Sequence, residues 1–177
     1  YQDTESRLRF FPEPADNPND RLKDYWYAMY LRALRERPLC CNSSGSAEVY
    51  RFTWLRTFHH PVVISLEHDL KGRWLMHTKV SSGAGGYEPG ILGIDLVRSM
   101  SSDDTRPLRE TMSVDSTFWT TEAQDSSVGF DGAEWIIESR VDDNYHFVDR
   151  WTPRHGLIHD IGSQFLSLSG AYFDPVY

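Results

Sequence analysis

Residues 134–152 read Glu134-Trp-Ile-Ile-Glu-Ser-Arg-Val141, then Asp142-Asp-Asn144, then Tyr145-His-Phe-Val-Asp-Arg-Trp-Thr152. β-Branched and aromatic residues fill both arms and turn-forming residues separate them, which predicts a β-hairpin. Pro153 closes the second arm, because it cannot extend a strand ladder. A short helix is expected next, from Leu157 to Ser169, with Ile161, Phe165 and Leu168 on its apolar side.

Upstream of the hairpin, four further strands are expected: Val49–Phe58, Val62–Glu67, Arg73–Val80 and Ile91–Arg98. Tyr50, Phe52, Trp54 and Phe58 fall at even spacing on one face of the first; Trp74, Met76, Thr78 and Val80 do so on the third. Short turns join the strands, so the sheet is expected to be largely antiparallel. A helix is expected to begin at Ser101 or Ser102 and run to about Phe118, with Pro107 tolerable only in its first turn. Another should follow Asn19 or Asp20 and stop before Pro38, with an apolar stripe of Leu22, Tyr25, Trp26, Met29, Tyr30, Ala33 and Leu34. Residues 1–18, with Pro12, Pro14 and Pro18, read as an extended arm. The fold class is α+β: one domain over residues 19–177, with a largely antiparallel sheet of about six strands and helices packed mainly on one face.

Composition bounds the function. The chain has 177 residues, 40% hydrophobic and 14% aromatic, with a formal net charge of −8. That length supports one well-formed core. The acidic balance argues against nucleic acid as a partner, since phosphate backbones need a dense basic face. No apolar run approaches the ~20 residues of a membrane helix, so no transmembrane segment is expected. Cys40 and Cys41 are adjacent, a spacing that rarely meets disulfide geometry, and no Cys-x-x-Cys motif is present.

Several groups invite a chemical reading. His59, His60 and His68 lie near Glu67 and Asp69, and His155 and His159 stand four apart. Gly156 and Pro153 interrupt the second group, and His59 and His60 point to opposite sides of a strand. No metal and no cofactor are expected. On the hairpin, Glu134 and Glu138 share a face, and Arg150 is positioned to pair with one of them across the strands. Together with His146, these carboxylates are the candidates for acid–base hydrolysis. Arg56 shares a face with Trp54 and either stacks on the aromatics or binds an anionic group. The loop Ser81-Ser-Gly-Ala-Gly-Gly-Tyr-Glu-Pro-Gly90 lacks the Gly-Lys-Ser/Thr of a phosphate loop and leads into a strand, so it reads as a mobile or partner-contacting loop. Tyr87 and Glu88 are its contact residues.

Four segments resemble a family together: Trp54-Leu-Arg-Thr-Phe-His-His-Pro61, Gly83-Ala-Gly-Gly-Tyr-Glu-Pro-Gly90, Asp131-Gly-Ala-Glu-Trp-Ile-Ile-Glu138 and Tyr145-His-Phe-Val-Asp-Arg-Trp-Thr-Pro153. They resemble small, uncharacterised bacterial proteins often made with an export signal or lipoprotein leader, over roughly residues 48–170. The resemblance implies a periplasmic or cell-envelope location and carries no catalytic residue with it. A chain starting at Tyr1 fits removal of such a leader, although a trimmed cytoplasmic chain starts the same way.

The expectation is therefore a non-enzymatic protein-binding domain, in the form of an immunity protein that neutralises a basic toxin. Tyr87, Glu88, Arg56, Trp54, Glu138 and Arg150 are its candidate contact residues, and the sequence leaves its oligomeric state open. The alternatives are a hydrolase built on the carboxylates and histidines of the C-terminal hairpin, centred on Glu138 and His146, or a small-ligand-binding envelope protein with a cavity around Trp54 and Arg56.

Overall fold

Six strands form one antiparallel sheet: β1 (Ser46–Arg56), β2 (Val62–Asp69), β3 (Trp74–Ser81), β4 (Leu92–Met100), β5 (Ala133–Val141) and β6 (Asn144–Trp151), in the order β4-β3-β2-β1-β5-β6. Three helices accompany them: α1 (Pro18–Ala33), α2 (Ser102–Thr111) and α3 (Leu157–Ser169). The structure is a computed structural model describing residues 9–12, 18–40, 46–124, 127 and 129–177. The α+β fold with an antiparallel sheet is as the sequence led us to expect.

Side-chain alternation divides the sheet into two faces. On one lie Phe52, Trp54, Ile64, Leu66, Met76, Trp135, Ile137 and Val148, covered by Leu108 and Met112 of the α2 segment and Ile158, Ile161 and Phe165 of α3. On the other lie Leu55, Val63 and Ile136, covered by Tyr27, Ala28, Tyr30, Leu31 and Leu34 of the α1 segment. Two helices thus share one face and α1 alone packs on its reverse. Phe10 and Phe11, within the expected arm, are buried beside α1. Much of the rest of the arm, like the loop residues 41–45, lies outside the described residues.

Three local readings need correction. The buried stripe of α1 is Tyr27, Tyr30, Leu31 and Leu34, whereas Leu22 and Tyr25 are 67% and 65% exposed. The helix is rotated from its most apolar face because Lys23, one turn before Tyr27, is directed at acidic groups of the sheet. The second helix ends at Thr111, not near Phe118. Met112 caps it, and a separate 3₁₀ turn holds Thr117–Thr120. Pro107 lies inside α2 beyond the first turn and is solvent-exposed. Finally, Cys40 is disulfide-bonded, its partner lying outside the described residues.

The two sheet edges differ. Residues 122–124 run beside β6: Gln124 forms a parallel bridge with Asp149, and the Asp149 amide donates to the Ala123 carbonyl at 2.7 Å. Among the described residues, no segment pairs with the outer edge of β4.

Candidate functional site

Backbone hydrogen bonds tie the glycine loop after β3 to the end of β1. The Gly85 amide donates to the Arg56 carbonyl (2.9 Å) and the Gly86 amide to the Thr57 carbonyl (3.0 Å). Ala84 and Glu88 form an antiparallel bridge, and the Tyr30 hydroxyl of α1 donates to the Ala84 carbonyl at 3.0 Å. Close approach explains the glycine at 85: a Cβ there would stand 2.5 Å from the Leu55 carbonyl carbon. Gly90, at φ +63°, closes the loop in a conformation other residues rarely adopt.

This scaffold presents Tyr87, 62% exposed, with Glu88 beside it in solvent. Phe58, from the turn after β1, is 56% exposed, and its ring centroid lies 6.1 Å from that of Tyr87. The exposed His60 completes the cluster by bonding the Gly83 carbonyl through Nδ1 at 2.8 Å. Sequence reasoning placed Tyr87 and Glu88 at the tip of this loop, and both are exposed there. It placed Phe58 in the first strand, on the face of Tyr50, Phe52 and Trp54, but β1 ends at Arg56 and Phe58 lies in the following turn.

The other four candidate contact residues are placed elsewhere. Trp54 is fully buried and Arg56 nearly so. Of the two readings of Arg56, stacking is the one found: its guanidinium lies 4.2 Å from the Trp54 ring centroid and donates to the Pro175 and His60 carbonyls. The C-terminal segment fills the space around them. Phe173 packs edge-on against Trp54, and the indole N–H groups of Trp54 and Trp135 both donate to the Tyr177 carbonyl at 3.0 Å. The expected ligand cavity around Trp54 and Arg56 is therefore packed with protein.

Glu138 is completely buried beneath α1 and the segment after it. Its Oε2 accepts from Arg51 Nε at 2.6 Å, its Oε1 from Arg51 Nη2 at 2.7 Å, and Tyr145 also donates to it. The same arginine donates to Glu36, which in turn accepts from Lys79. Burial alone would raise the Glu36 carboxyl, but Arg51 and Lys79 outweigh it and hold the pKa below the usual value. Arg150 pairs with neither hairpin glutamate. It projects from the opposite face and donates to the Glu122 and Ala123 carbonyls. His146 also lies on that opposite face, against Phe118 and Trp119, where burial lowers its pKa. Glu138 and His146 do not converge on a common site.

A second charged group lies under α1. Asp149 Oδ2 accepts from the Tyr27 hydroxyl at 2.8 Å and from Lys23 at 3.2 Å, and Lys23 also approaches Glu134 at 3.6 Å. Burial, followed by the hydrogen bond and charge of Asp149, pushes the Glu134 carboxyl up to about 9. Among the described residues, Glu134 Oε2 and Asp149 Oδ1 are buried with no other donor. A proton retained on Glu134 supplies the donor both oxygens need. Chemically this is a proton-sharing carboxyl pair, but α1 covers it. Neither Arg51 nor Lys23 was singled out from the sequence; the readable signal for each is its place in a stripe or strand whose neighbours are buried.

Two open grooves of about 500 and 560 Å³ adjoin α2 and share Glu48, Ser102 and Arg109. In the larger, Trp74 stacks on His68 (centroids 4.6 Å apart) and carries the Arg109 guanidinium at 4.4 Å. Among the described residues, no group of three or more His, Cys, Asp or Glu side chains is arranged to hold a metal ion. No helix among them is long and apolar enough to cross a membrane.

No protein-family model matches the chain, and no curated protein matches its sequence. The functional reading therefore rests on the geometry above.

Proposed function

We propose that this chain is a non-enzymatic protein-binding domain, in the form of a bacterial immunity or inhibitor protein that covers a toxin, acting in the periplasm or at the cell envelope. The observation that carries the reading is the Phe58–Tyr87 pair. Two large aromatic rings stand more than half exposed on a loop held by backbone bonds, so they meet a partner with little ordering cost. Aromatic anchors of this kind dominate the energetics of protein interfaces. Glu88 beside them and the net charge of −8 favour a basic partner and speed its approach. The buried carboxylates support the same reading from the other side: Glu138 is held by Arg51, and Asp149, bonded by Lys23 and Tyr27, lies beneath α1. The envelope location is supported by the resemblance of residues 48–170 to exported bacterial proteins.

The test is affinity capture from lysate of the source organism at low and moderate salt, using the wild-type protein and a Phe58→Ala/Tyr87→Ala double variant. A single partner retained by the wild type, weakened by salt and held at least about tenfold more weakly by the variant is the expected result. Equal retention by both proteins, or no retained partner, would overturn the proposal.

A further inference from the structure

The outer edge of β4 has the features of an interface. β4 is nine residues long, Leu-Gly-Ile-Asp-Leu-Val-Arg-Ser-Met, and its seven central residues are all exposed. A long edge strand carrying unpaired backbone groups and apolar side chains is a template for another strand, and proteins normally shield it. This protein shields the opposite edge with residues 122–124 and leaves β4 open among the described residues. β4 has no proline and no lysine, two common deterrents to edge pairing.

The ladder identifies which backbone groups are free. The Ser81 amide donates to the Pro61 carbonyl at 3.1 Å, and the Asp69 amide donates to the Arg73 carbonyl at 2.9 Å. Odd-numbered residues of β3 therefore direct their backbone groups at β2, and the even-numbered ones, by alternation, at β4. Trp74, Met76, Thr78 and Val80 pair with Met100, Arg98, Leu96 and Ile94. Gly93, Asp95, Val97 and Ser99 are left with their N–H and C=O groups directed at the open side.

We infer that β4 pairs with β4 of a second copy of this chain, antiparallel about a two-fold axis at Val97, joining the two sheets into one. Four pairings carry the choice of occupant and register. Val97 meets Val97, Ile94 meets Met100, Asp95 meets Ser99, and Leu96 lies along the aliphatic stem of Arg98. No like charges stand opposite each other, and each apolar residue meets an apolar surface. Moving the axis to Leu96 sets the Asp95 carboxylate directly against Val97, and moving it to Arg98 sets arginine against arginine. Val97 is itself 55% exposed, and Ile94 and Leu96 are about half exposed on the other face. One strand a side is smaller than a standard interface, so dissociation constants of roughly 10–100 µM are expected. This surface is separate from the Phe58–Tyr87 cluster, and the inference does not depend on what that cluster binds.

Light scattering across a concentration series is the test, with hydrogen exchange alongside it. The wild type should move from 20.5 kDa towards twice that mass below about 200 µM. Amides of Asp95, Val97 and Ser99 should gain protection with concentration, while those of Leu96 and Arg98, already bonded to β3, should not change. Val97→Pro removes only an outward-facing donor and should stay folded and monomeric. Val97→Lys should be monomeric for a different reason, placing like charges at the axis. A wild type that stays monomeric at 200 µM, or a dimer that survives both substitutions, would overturn the inference.

Discussion

Arg51 and Glu138 face each other across β1 and β5, both fully buried and joined by two bonds of 2.6 and 2.7 Å. Their mutual attraction offsets a large desolvation cost, so the pair adds less net stability than its geometry suggests. Removing one partner is a different matter, because the other charge stays buried. Glu138→Ala is expected to cost about 3–5 kcal/mol in urea unfolding. A double replacement, Arg51→Met with Glu138→Leu, should recover most of that loss, and a double-mutant cycle measures the coupling.

The Glu134–Asp149 pair sets a pH dependence of the opposite sign from ordinary acid denaturation. Glu134 holds its proton up to about pH 9 in the folded protein, whereas an exposed glutamate loses it near pH 4.5. Between those values the folded state binds more protons at this site than the unfolded state, so the site's contribution to stability falls as pH rises. Above pH 9 the proton is lost, and two adjacent carboxylates face Tyr27 and Lys23 of α1. Glu134→Gln keeps a donor at the same place without a titrating group. It should flatten the slope between pH 5 and 9 and raise Tm at pH 8 by roughly 3–6 °C, the equivalent of about 1–2 kcal/mol. An unchanged slope in thermal melts would refute this account.

How far the sequence discloses the molecule is visible at the hairpin. The strand composition of residues 134–152 and the helix at 157–169 follow from pattern, and both elements form where that pattern places them. The turn is what misleads. Reading Asp142-Asp-Asn144 as a three-residue loop puts Arg150 on the face of Glu134 and Glu138. In the structure the loop is Asp142-Asp143, Asp142 adopts φ 53°, and Val141 pairs with Asn144. That one-residue change in register sends Arg150 to the opposite face. Glu138 is then free for Arg51, whose role no local spacing discloses because the two are 87 residues apart. The rotation of α1 is hidden for a related reason: Lys23 on a buried stripe makes sense only once Glu134 and Asp149 are known to lie beneath it. Tyr87 and Glu88 were legible because a glycine-dense loop advertises its exposed tip by composition alone.

Gly162 tests whether helix propensity or packing controls α3. In a free helix, Gly→Ala gains about 1 kcal/mol. Here a Cβ at 162 would run into the six-membered ring of Trp135 and stand 3.3 Å from Phe52. Trp135 is held by Phe52, Trp54 and its bond to the Tyr177 carbonyl, so it has no space into which to retreat. Overpacking costs of about 1–3 kcal/mol exceed the propensity gain. Gly162→Ala should therefore lower the urea midpoint, and a raised midpoint would show that the helix shifts at little cost.

Gly85→Ala separates the scaffold of the loop from its contact residues. The added Cβ meets backbone atoms of Leu55 and Arg56 at 2.5–2.6 Å, and backbone cannot swing aside as a side-chain tip can. The loop must lift from the end of β1, breaking the Gly85 bonds to the Arg56 and His59 carbonyls and disturbing the Gly86 bond to Thr57. Losing the bonds of this one N–H, shared between two carbonyls, and weakening the Gly86 bond together cost about 1–3 kcal/mol. Tyr87 would remain on the chain yet leave its fixed position beside Phe58. Partner binding should therefore fall in Gly85→Ala almost as far as in Tyr87→Ala. Stability should separate the two, because Tyr87→Ala trims a side chain that is 62% exposed and should change the urea midpoint little. If Gly85→Ala binds as tightly as the wild type, the clamped geometry of the loop contributes nothing to recognition and composition alone carries it.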